Sequence, residues 1–195
     1  MRQAKIQRQT GETDITLAIN LDGKGRASLK TGVPFLEHML NLFAVHGLFD
    51  LEIDAKGDLE IDAHHTTEDI GISLGQALKE ALGEKRGIHR YGQAAVPMDD
   101  ALAEVFVDLS GRPFFCYQGP ILTGKVGTFD LELIKEFLRA MANETKMNLH
   151  VCLRYGENKH HCAEAIFKAL GRALRQAVSL DPRRTHNVPS SKGVL

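Results

Sequence analysis

An internal repeat is the feature that most constrains how this chain can fold. The segment from His64 to Leu82 reads HHTTEDIGISLGQALKEAL, and the segment from His160 to Val178 reads HHCAEAIFKALGRALRQAV. Apolar residues recur at helical spacing in both, so each segment is predicted to be a helix with an HHxxE pattern in its first turns. At a constant offset of 96 residues, the identical pairs include His64/His160, His65/His161, Glu68/Glu164, Leu74/Leu170, Gly75/Gly171, Ala77/Ala173, Leu78/Leu174 and Ala81/Ala177.

The segments before the two helices also correspond. Ile15–Leu21 and Ala103–Leu109 alternate as strands do, and a turn signal follows each. Helical patterns then centre on residues 40 and 137, and the strands 49–55 and 148–153 follow. We therefore predict a duplicated α+β fold, in which each half is a mostly antiparallel sheet with two helices on one face. Duplication followed by fusion would pack the helix layers of the two halves together. The chain is expected to be a single domain, 1–195, of two pseudo-repeats, about 1–95 and 96–195.

Composition excludes several classes of protein. The 24 basic and 25 acidic residues give a net charge of −1, which argues against nucleic-acid binding and against an anionic membrane surface. The sequence contains no apolar run of 18 residues, so no transmembrane helix is predicted, and the N-terminus lacks the apolar core of a secretory signal. Three cysteines are too few for a disulfide scaffold. A cytoplasmic protein is expected.

The paired histidines predict a metal site. Residues three and four apart share a helix face, so His64, His65 and Glu68 can offer two imidazoles and a carboxylate from about one turn. Adjacent histidines point about 100 degrees apart, so each pair is expected to serve two different ions rather than to chelate one. The second copy supplies His160, His161 and Glu164. Pairing the two helices about a pseudo-twofold axis would place all six side chains in one cluster, which suits manganese, iron or zinc.

The helical pattern before each HHxxE helix suggests one further metal ligand in each half. Aligning PFLEHMLNLF with LIKEFLRAMA places His38 opposite Glu136. Eight candidate ligands result, four for each of two ions. A lone histidine pair on a helix is more often surface or core polarity than a metal site, but a duplicated HHxxE inside otherwise apolar helices favours metal binding.

In these and several further motifs the chain resembles the imidazoleglycerol-phosphate dehydratase family of histidine biosynthesis. The resemblance covers nearly the whole chain and rests on FLEHML (35–40), DAHHTTEDIGISLGQAL (62–78), HRYG (89–92), DLSGRP (108–113), NKHHCAEAIFKALGRAL (158–174) and PSSKGVL (189–195). It implies a homo-oligomer of 24 subunits with sites at subunit interfaces, and two Mn²⁺ per active site, with other divalent metals possible. The metal ligands that it implies are His38, His64, His65, Glu68, His160, His161 and Glu164. Many members have histidine where this chain has Glu136, and a carboxylate there is also a good manganese ligand.

The resemblance also implies the reaction. D-erythro-imidazole glycerol phosphate would lose water and give imidazole acetol phosphate, through a metal-stabilised imidazolate that expels the C3 hydroxyl. Besides the metal ligands His38, His65, Glu68, His161 and Glu164, Glu12 is nominated as a catalytic residue, for proton transfer near C2 and C3, because it matches a substrate-contacting glutamate of the family. The residues expected to bind the substrate or its phosphate are Glu12, His46, Arg90, Arg112, Lys168, Ser190, Ser191 and Lys192.

Two other functions fit a histidine and glutamate cluster. A binuclear metallohydrolase would use metal-bound hydroxide and release phosphate or amine. A metal-binding or storage assembly would use paired helices, as ferritin-like bundles do. The storage alternative predicts no cationic phosphate pocket and gives no role to the terminal PSSKGVL. That motif and the arginines therefore favour the lyase.

Overall fold

A computed structural model describes residues 2–184 and 187–193 of the chain. Within those ranges it contains ten strands and four helices. In chain order these are β1 (Gln3–Gln9), β2 (Thr13–Asn20), β3 (Ala27–Lys30), α1 (Pro34–Gly47), β4 (Asp50–Gly57), α2 (His64–Leu82), β5 (Tyr91–Met98), β6 (Ala101–Asp108), β7 (Phe114–Gln118), β8 (Lys125–Val126), β9 (Phe129–Asp130), α3 (Leu133–Thr145), β10 (Asn148–Tyr155) and α4 (Lys159–Val178).

Two four-stranded sheets have the same topology. The first has the order β1-β2-β4-β3 and the second the order β5-β6-β10-β7. In each, the first three strands pair antiparallel and the last strand pairs parallel with its neighbour. Apart from Thr13 at the start of β2, the inward residues of the central strands are apolar and buried, as period-two alternation predicts. The predicted duplication and the mostly antiparallel sheets are confirmed.

The helix layers of the two halves face each other, as the repeat predicts. α2 packs against α3 and α1 packs against α4, so each HHxxE helix contacts the preceding helix of the other half. On their opposite sides α2 packs on β1 and β2, and α4 packs on β5 and β6. This exchange of partners between the halves brings side chains that are far apart in sequence to the same helix surface.

Two glycines of the repeat allow the helices to approach closely. A Cβ atom on Gly75 would lie 2.6 Å from the carbonyl oxygen of Met141, and one on Gly171 would lie 2.5 Å from that of Phe43. Both distances are shorter than a carbon atom can make with a backbone oxygen. The glycines therefore occur in both copies because the helix contact is the same in both halves.

The structure adds elements that the sequence pattern did not predict. These are the edge strands β1, β3, β5 and β7 and the short β8–β9 hairpin. The boundaries of the predicted strands differ from the observed ones by one or two residues, whereas the predicted helix 64–82 has the same limits as α2. Within the described ranges, the helices are all too short or too polar to span a bilayer.

Candidate metal centre

The paired histidines lie at the start of α2 and α4 because an Asx side chain precedes each pair. Asp62 Oδ1 accepts a hydrogen bond from the backbone N–H of His64 at 2.7 Å. Asn158 Oδ1 accepts one from the backbone N–H of His160 at 3.0 Å. These contacts satisfy amides that a helix start leaves free. They therefore hold each histidine pair in the first turn of its helix, although α2 begins at His64 and α4 begins one residue earlier in the repeat, at Lys159.

Three predicted ligands come together where α1 meets α4. Glu164 Oε1 lies 3.0 Å from His38 Nε2 and 3.0 Å from His160 Nε2, and one ligand atom from each residue lies within 4.8 Å of the others. Ligand atoms about 2.1 Å from one ion lie about 3 Å from each other. The donor set and its spacing therefore fit a divalent cation that accepts imidazole and carboxylate ligands.

The carboxylate of this cluster is held in its charged form. Burial of Glu164 raises the pKa of its carboxyl, but hydrogen bonds from Lys168, His38 and His160 outweigh burial and leave the pKa at about 2. The strongest of these is from Lys168 Nζ to Glu164 Oε2, at 2.6 Å. Phe35 contacts the His160 ring edge-on at a centroid distance of 5.3 Å, which limits the orientations that this imidazole can adopt.

The equivalent residues of α2 and α3 are not gathered in the same way. His64 Nε2 lies 3.6 Å from Glu68 Oε2, whereas Glu136 Oε2 accepts a hydrogen bond from Arg139 at 2.8 Å. Within the described residues, the single cluster of six side chains does not form in one chain. The reason is the packing of the helices, because α4 meets α1 and α2 meets α3. Metal binding by Glu136, His64 and Glu68 stays a prediction.

The second histidine of each pair turns away from the first. The ring planes of His64 and His65 are 80° apart, and those of His160 and His161 are 83° apart. His65 Nδ1 contacts Asp58 Oδ2 at 2.8 Å, and His161 Nδ1 contacts Asp100 Oδ1 at 2.6 Å. A carboxylate on Nδ1 leaves Nε2 free to bind a metal and fixes the ring. The Asp58 contact also raises the pKa of His65.

Glu12 lies in the turn between β1 and β2, beside one of these histidines. Its Oε1 atom is 3.6 Å from His65 Nε2. A carboxylate from the β5–β6 turn has the equivalent place in the second half, where Asp99 Oδ2 lies 3.7 Å from His161 Nε2. Glu12 is therefore next to a predicted metal ligand, as its nominated role in proton transfer requires.

Arg90 is tied to both the second sheet and the C-terminal segment. Its Nε and Nη2 atoms donate to the two carboxylate oxygens of Asp108 at 2.6 and 3.1 Å. Its Nη1 atom donates to the carbonyl of Pro189 at 2.9 Å. The guanidinium therefore lies next to the segment that carries Ser190, Ser191 and Lys192, although the last two residues of PSSKGVL lie outside the described residues.

The other predicted phosphate ligands have separate environments. Burial and the positive charges of Lys168 and Arg172 lower the pKa of His46, so His46 and Lys168 share one region. Arg112 donates to the carbonyl of Ser110 at 3.5 Å, in the turn after β6. A common phosphate site formed by all of these residues stays a prediction.

Sequence reasoning missed the aspartates that orient the second histidines. Asp58 lies in the loop before α2, and Asp100 lies in the β5–β6 turn. Asp100 also accepts hydrogen bonds from the backbone amides of Glu157 and Asn158, both at 2.8 Å, so it holds the start of α4. No shared position in the repeat signals these aspartates, because the two halves supply them from different loops.

The fold and the site define a class: a duplicated α+β protein whose facing helix layers carry a histidine and glutamate centre fit for a divalent cation. The family model for imidazoleglycerol-phosphate dehydratase matches residues 31–174. The chain therefore belongs to the imidazoleglycerol-phosphate dehydratase family, whose members are hydro-lyases of histidine biosynthesis. The predicted family and enzyme class are confirmed.

Relatives match the chain over its whole length. The imidazoleglycerol-phosphate dehydratase of Geobacillus thermodenitrificans is 63% identical over 194 residues, which is 100% of this chain and 99% of the relative. That of Bacillus subtilis is 60% identical over 195 residues, which is 100% of both chains. The crystal structure of the Staphylococcus aureus enzyme has a TM-score of 0.83 and 42% identity, and covers 92% of this chain and 99% of its own. The Pyrococcus furiosus enzyme in complex with (S)-C348 has the same TM-score and 40% identity, and covers 97% of this chain and 100% of its own.

Proposed function

We propose that this chain dehydrates D-erythro-imidazole glycerol phosphate to imidazole acetol phosphate, with two Mn²⁺ per active site. The observation that carries the proposal is the cluster of His38, His160 and Glu164, in a chain that belongs to this dehydratase family. We further propose that residues 1–195 act as one domain of two pseudo-repeats, and that the enzyme works in the cytoplasm without binding nucleic acid or membrane.

The first ion would be held by His38, His160 and Glu164. The second would use the equivalent set from the other helix pair, His64, Glu68 and Glu136. A bound divalent ion would lower the pKa of the substrate's imidazole N–H and stabilise the negative charge that develops on the ring. Lys168 keeps Glu164 ionised, so this carboxylate can bind a cation without first losing a proton.

His65 and His161 would complete the coordination from neighbouring subunits of a homo-24-mer. Each ring diverges by about a right angle from the preceding histidine, and each has a carboxylate on Nδ1 that leaves Nε2 available. Among the described residues, one chain gathers three ligands, which would leave positions on the ion open to groups from a neighbouring subunit and to the substrate.

Glu12 would move the proton in this reaction. The hydrogen on C2 of the substrate is not acidic, so its removal requires a base close to the carbon atom. Glu12 lies beside His65 with its carboxylate half exposed, where a substrate can reach it. The C3 hydroxyl takes up a proton and leaves as water, the C2 proton is removed, and the resulting enol tautomerises to the ketone.

The phosphate would be bound by cations and by the C-terminal segment. A guanidinium has five N–H groups, and the contacts of Arg90 with Asp108 and Pro189 use three of them. A planar guanidinium suits phosphate because it can donate two parallel hydrogen bonds. Arg112, Lys168, His46, Ser190, Ser191 and Lys192 are the further groups that we assign to substrate or phosphate binding.

The test is an assay of imidazole glycerol phosphate turnover by chelated protein, with and without added Mn²⁺. The expected result is a product lighter by one water, formed only with metal and without release of inorganic phosphate. Release of phosphate would favour the metallohydrolase. Binding of Mn²⁺ without any turnover would favour a storage assembly.

A further inference from the structure

A buried carboxylate next to the predicted ligands has no part in the chemistry above. Asp69 follows Glu68 on α2 and is only 7% exposed. Its Oδ2 atom accepts a hydrogen bond from Thr13 Oγ1 at 2.5 Å, and its Oδ1 atom accepts one from Arg8 Nη2 at 3.0 Å. The carboxylate therefore joins α2 to the last residues of β1 and the first of β2.

The hydrogen bonds continue from Asp69 into the turn that carries Glu12. Thr13 Oγ1 lies 3.3 Å from Thr10 Oγ1. Thr10 Oγ1 in turn accepts hydrogen bonds from the backbone N–H groups of Glu12 and Thr13, at 3.1 and 3.0 Å. The backbone of Glu12 is thus connected to α2 through two threonine hydroxyls and one buried carboxylate.

His65, the residue that the Glu12 side chain approaches, lies on α2 one helical turn before Asp69. Because residues i and i+4 lie on one helix face, Asp69 and His65 meet the β1–β2 turn from the same side of α2. Asp69 holds the backbone of the turn, and the side chain of Glu12 reaches 3.6 Å from His65 Nε2. The Asp69 contacts therefore hold the backbone of the turn on the helix face that carries His65.

The second half of the molecule folds without this network. Ala165 lies on α4 where Asp69 lies on α2, and Val96 lies on β5 where Arg8 lies on β1. Neither residue can form the corresponding hydrogen bonds with its side chain. The sheet order and the helix packing are the same in both halves, so the fold does not require the network.

We propose that Asp69 and Thr13 are positioning residues that hold Glu12 against His65 for the proton-transfer step. The inference rests on the proposed function, since it assigns Glu12 to proton transfer. A misplacement of about 1 Å can lower the rate about 100-fold. Loss of the Thr13 hydroxyl is therefore expected to lower kcat about 10- to 100-fold with little change in KM.

The experiment compares Thr13→Val with Thr13→Ser in the Mn²⁺-loaded enzyme. Thr13→Ser keeps the hydroxyl and should restore kcat to within about threefold of the parent enzyme. Thr145→Val is the matched control, because Thr145 is also a buried threonine and its hydroxyl bonds to the carbonyl of Met141 at 2.8 Å, away from the site. It should leave kcat unchanged. If Thr13→Val does not fold, Thr10→Val removes the next hydroxyl, in the exposed turn, and should lower kcat in the same way.

A double-mutant cycle separates positioning from general damage. In a Glu12→Gln background, Thr13→Val should have no further effect on kcat, because the group that it positions is already inactive. The inference alone is overturned if Glu12→Gln is impaired while Thr13→Val and Thr10→Val keep normal kcat, or if Thr13→Val lowers kcat by the same factor in both backgrounds. Normal turnover by Glu12→Gln would overturn the proposed role of Glu12 and the inference with it. Absence of turnover in the parent enzyme would overturn the proposed function itself.

Discussion

His38 Nε2 lies 3.0 Å from Glu164 Oε1, although 126 residues separate the two in the chain. The contact exists because α1 of the first half packs on α4 of the second. The duplicated fold therefore does more than repeat a unit, since it builds one ligand set from both copies. The metal centre and the contact between the helix layers depend on the same packing.

The packing between the halves predicts the effect of an added methyl group. Gly171→Ala would place a carbon atom 2.5 Å from the carbonyl oxygen of Phe43, so α1 and α4 would have to separate. We expect a loss of about 1–3 kcal/mol in the free energy of unfolding, despite the better helix propensity of alanine. Urea denaturation measures this free energy of unfolding for the parent and the variant. Gly11→Ala is the control, because a Cβ atom there meets no atom within 4 Å; equal stability of the two variants would contradict the account.

The hydrogen bonds that Asp50 accepts predict how the free energy of unfolding changes in acid. Its Oδ1 atom accepts hydrogen bonds from the backbone N–H groups of Lys24 and Arg26, at 2.8 and 3.0 Å. These contacts lower the pKa of Asp50 in the folded protein below its ordinary value of 3.8. The stability that they contribute is therefore present above the ordinary pKa and is lost as the pH falls through the lower folded pKa.

The measurement compares the parent protein with Asp50→Asn by denaturant titration at several pH values. The parent should be the more stable above about pH 5, and the difference should shrink below about pH 4. A difference that stays constant down to pH 3 would show that the charge of Asp50 does not contribute.

The contacts of Arg90 predict that its replacement by lysine weakens substrate binding. Lysine in its place cannot keep both contacts with Asp108 and also donate to Pro189 and the phosphate. We expect Arg90→Lys to raise KM about 10-fold, the loss of about one charge-assisted hydrogen bond. Steady-state kinetics gives the value, with Arg154→Lys as the control because Arg154 pairs with Glu104 on the outer face of the second sheet. An unchanged KM would remove Arg90 from phosphate binding.

The proposed role of Glu12 predicts that its replacement by glutamine lowers turnover without loss of metal. Glu12→Gln should keep its bound metal, because Glu12 is not one of the predicted metal ligands. Its side chain lies 3.6 Å from His65 Nε2 and is not part of the His38 cluster. We expect kcat to fall about 100-fold or more. Metal analysis and initial rates test both statements, and Asp14→Asn, which changes an exposed carboxylate two residues away, is the control. Near-normal turnover in Glu12→Gln would exclude it from the mechanism.

Much of the architecture could be predicted from the repeat. The HHxxE helices and the facing helix layers follow from periodicity and the offset of 96 residues, and the correspondence of His38 with Glu136 follows from a separate alignment of the two preceding helices. The edge strand β1 could not be predicted, because its sequence QAKIQRQ is mostly polar and only pairing with β2 makes it a strand. The reaction could be predicted from the motifs that the chain shares with the dehydratase family.

The grouping of the ligands was harder to predict than their identity. Equal spacing in two helices suggested that α2 and α4 pair with each other, whereas each packs on the preceding helix of the other half. Asp58 and Asp100 could not be found from the repeat, since they reach His65 and His161 from loops that differ between the halves. Such contacts depend on the three-dimensional course of loops, which local sequence patterns do not encode.

The most direct test of the account measures metal content and turnover together in Glu164→Gln. This change keeps the size of the side chain but removes the charge that faces His38, His160 and Lys168. Glu144→Gln, at the contact of α3 with Gln76, is the matched control and should behave as the parent. We predict that Glu164→Gln loses Mn²⁺ and that kcat falls at least about 100-fold. Full Mn²⁺ content with normal turnover would contradict the assignment of this cluster as the metal centre.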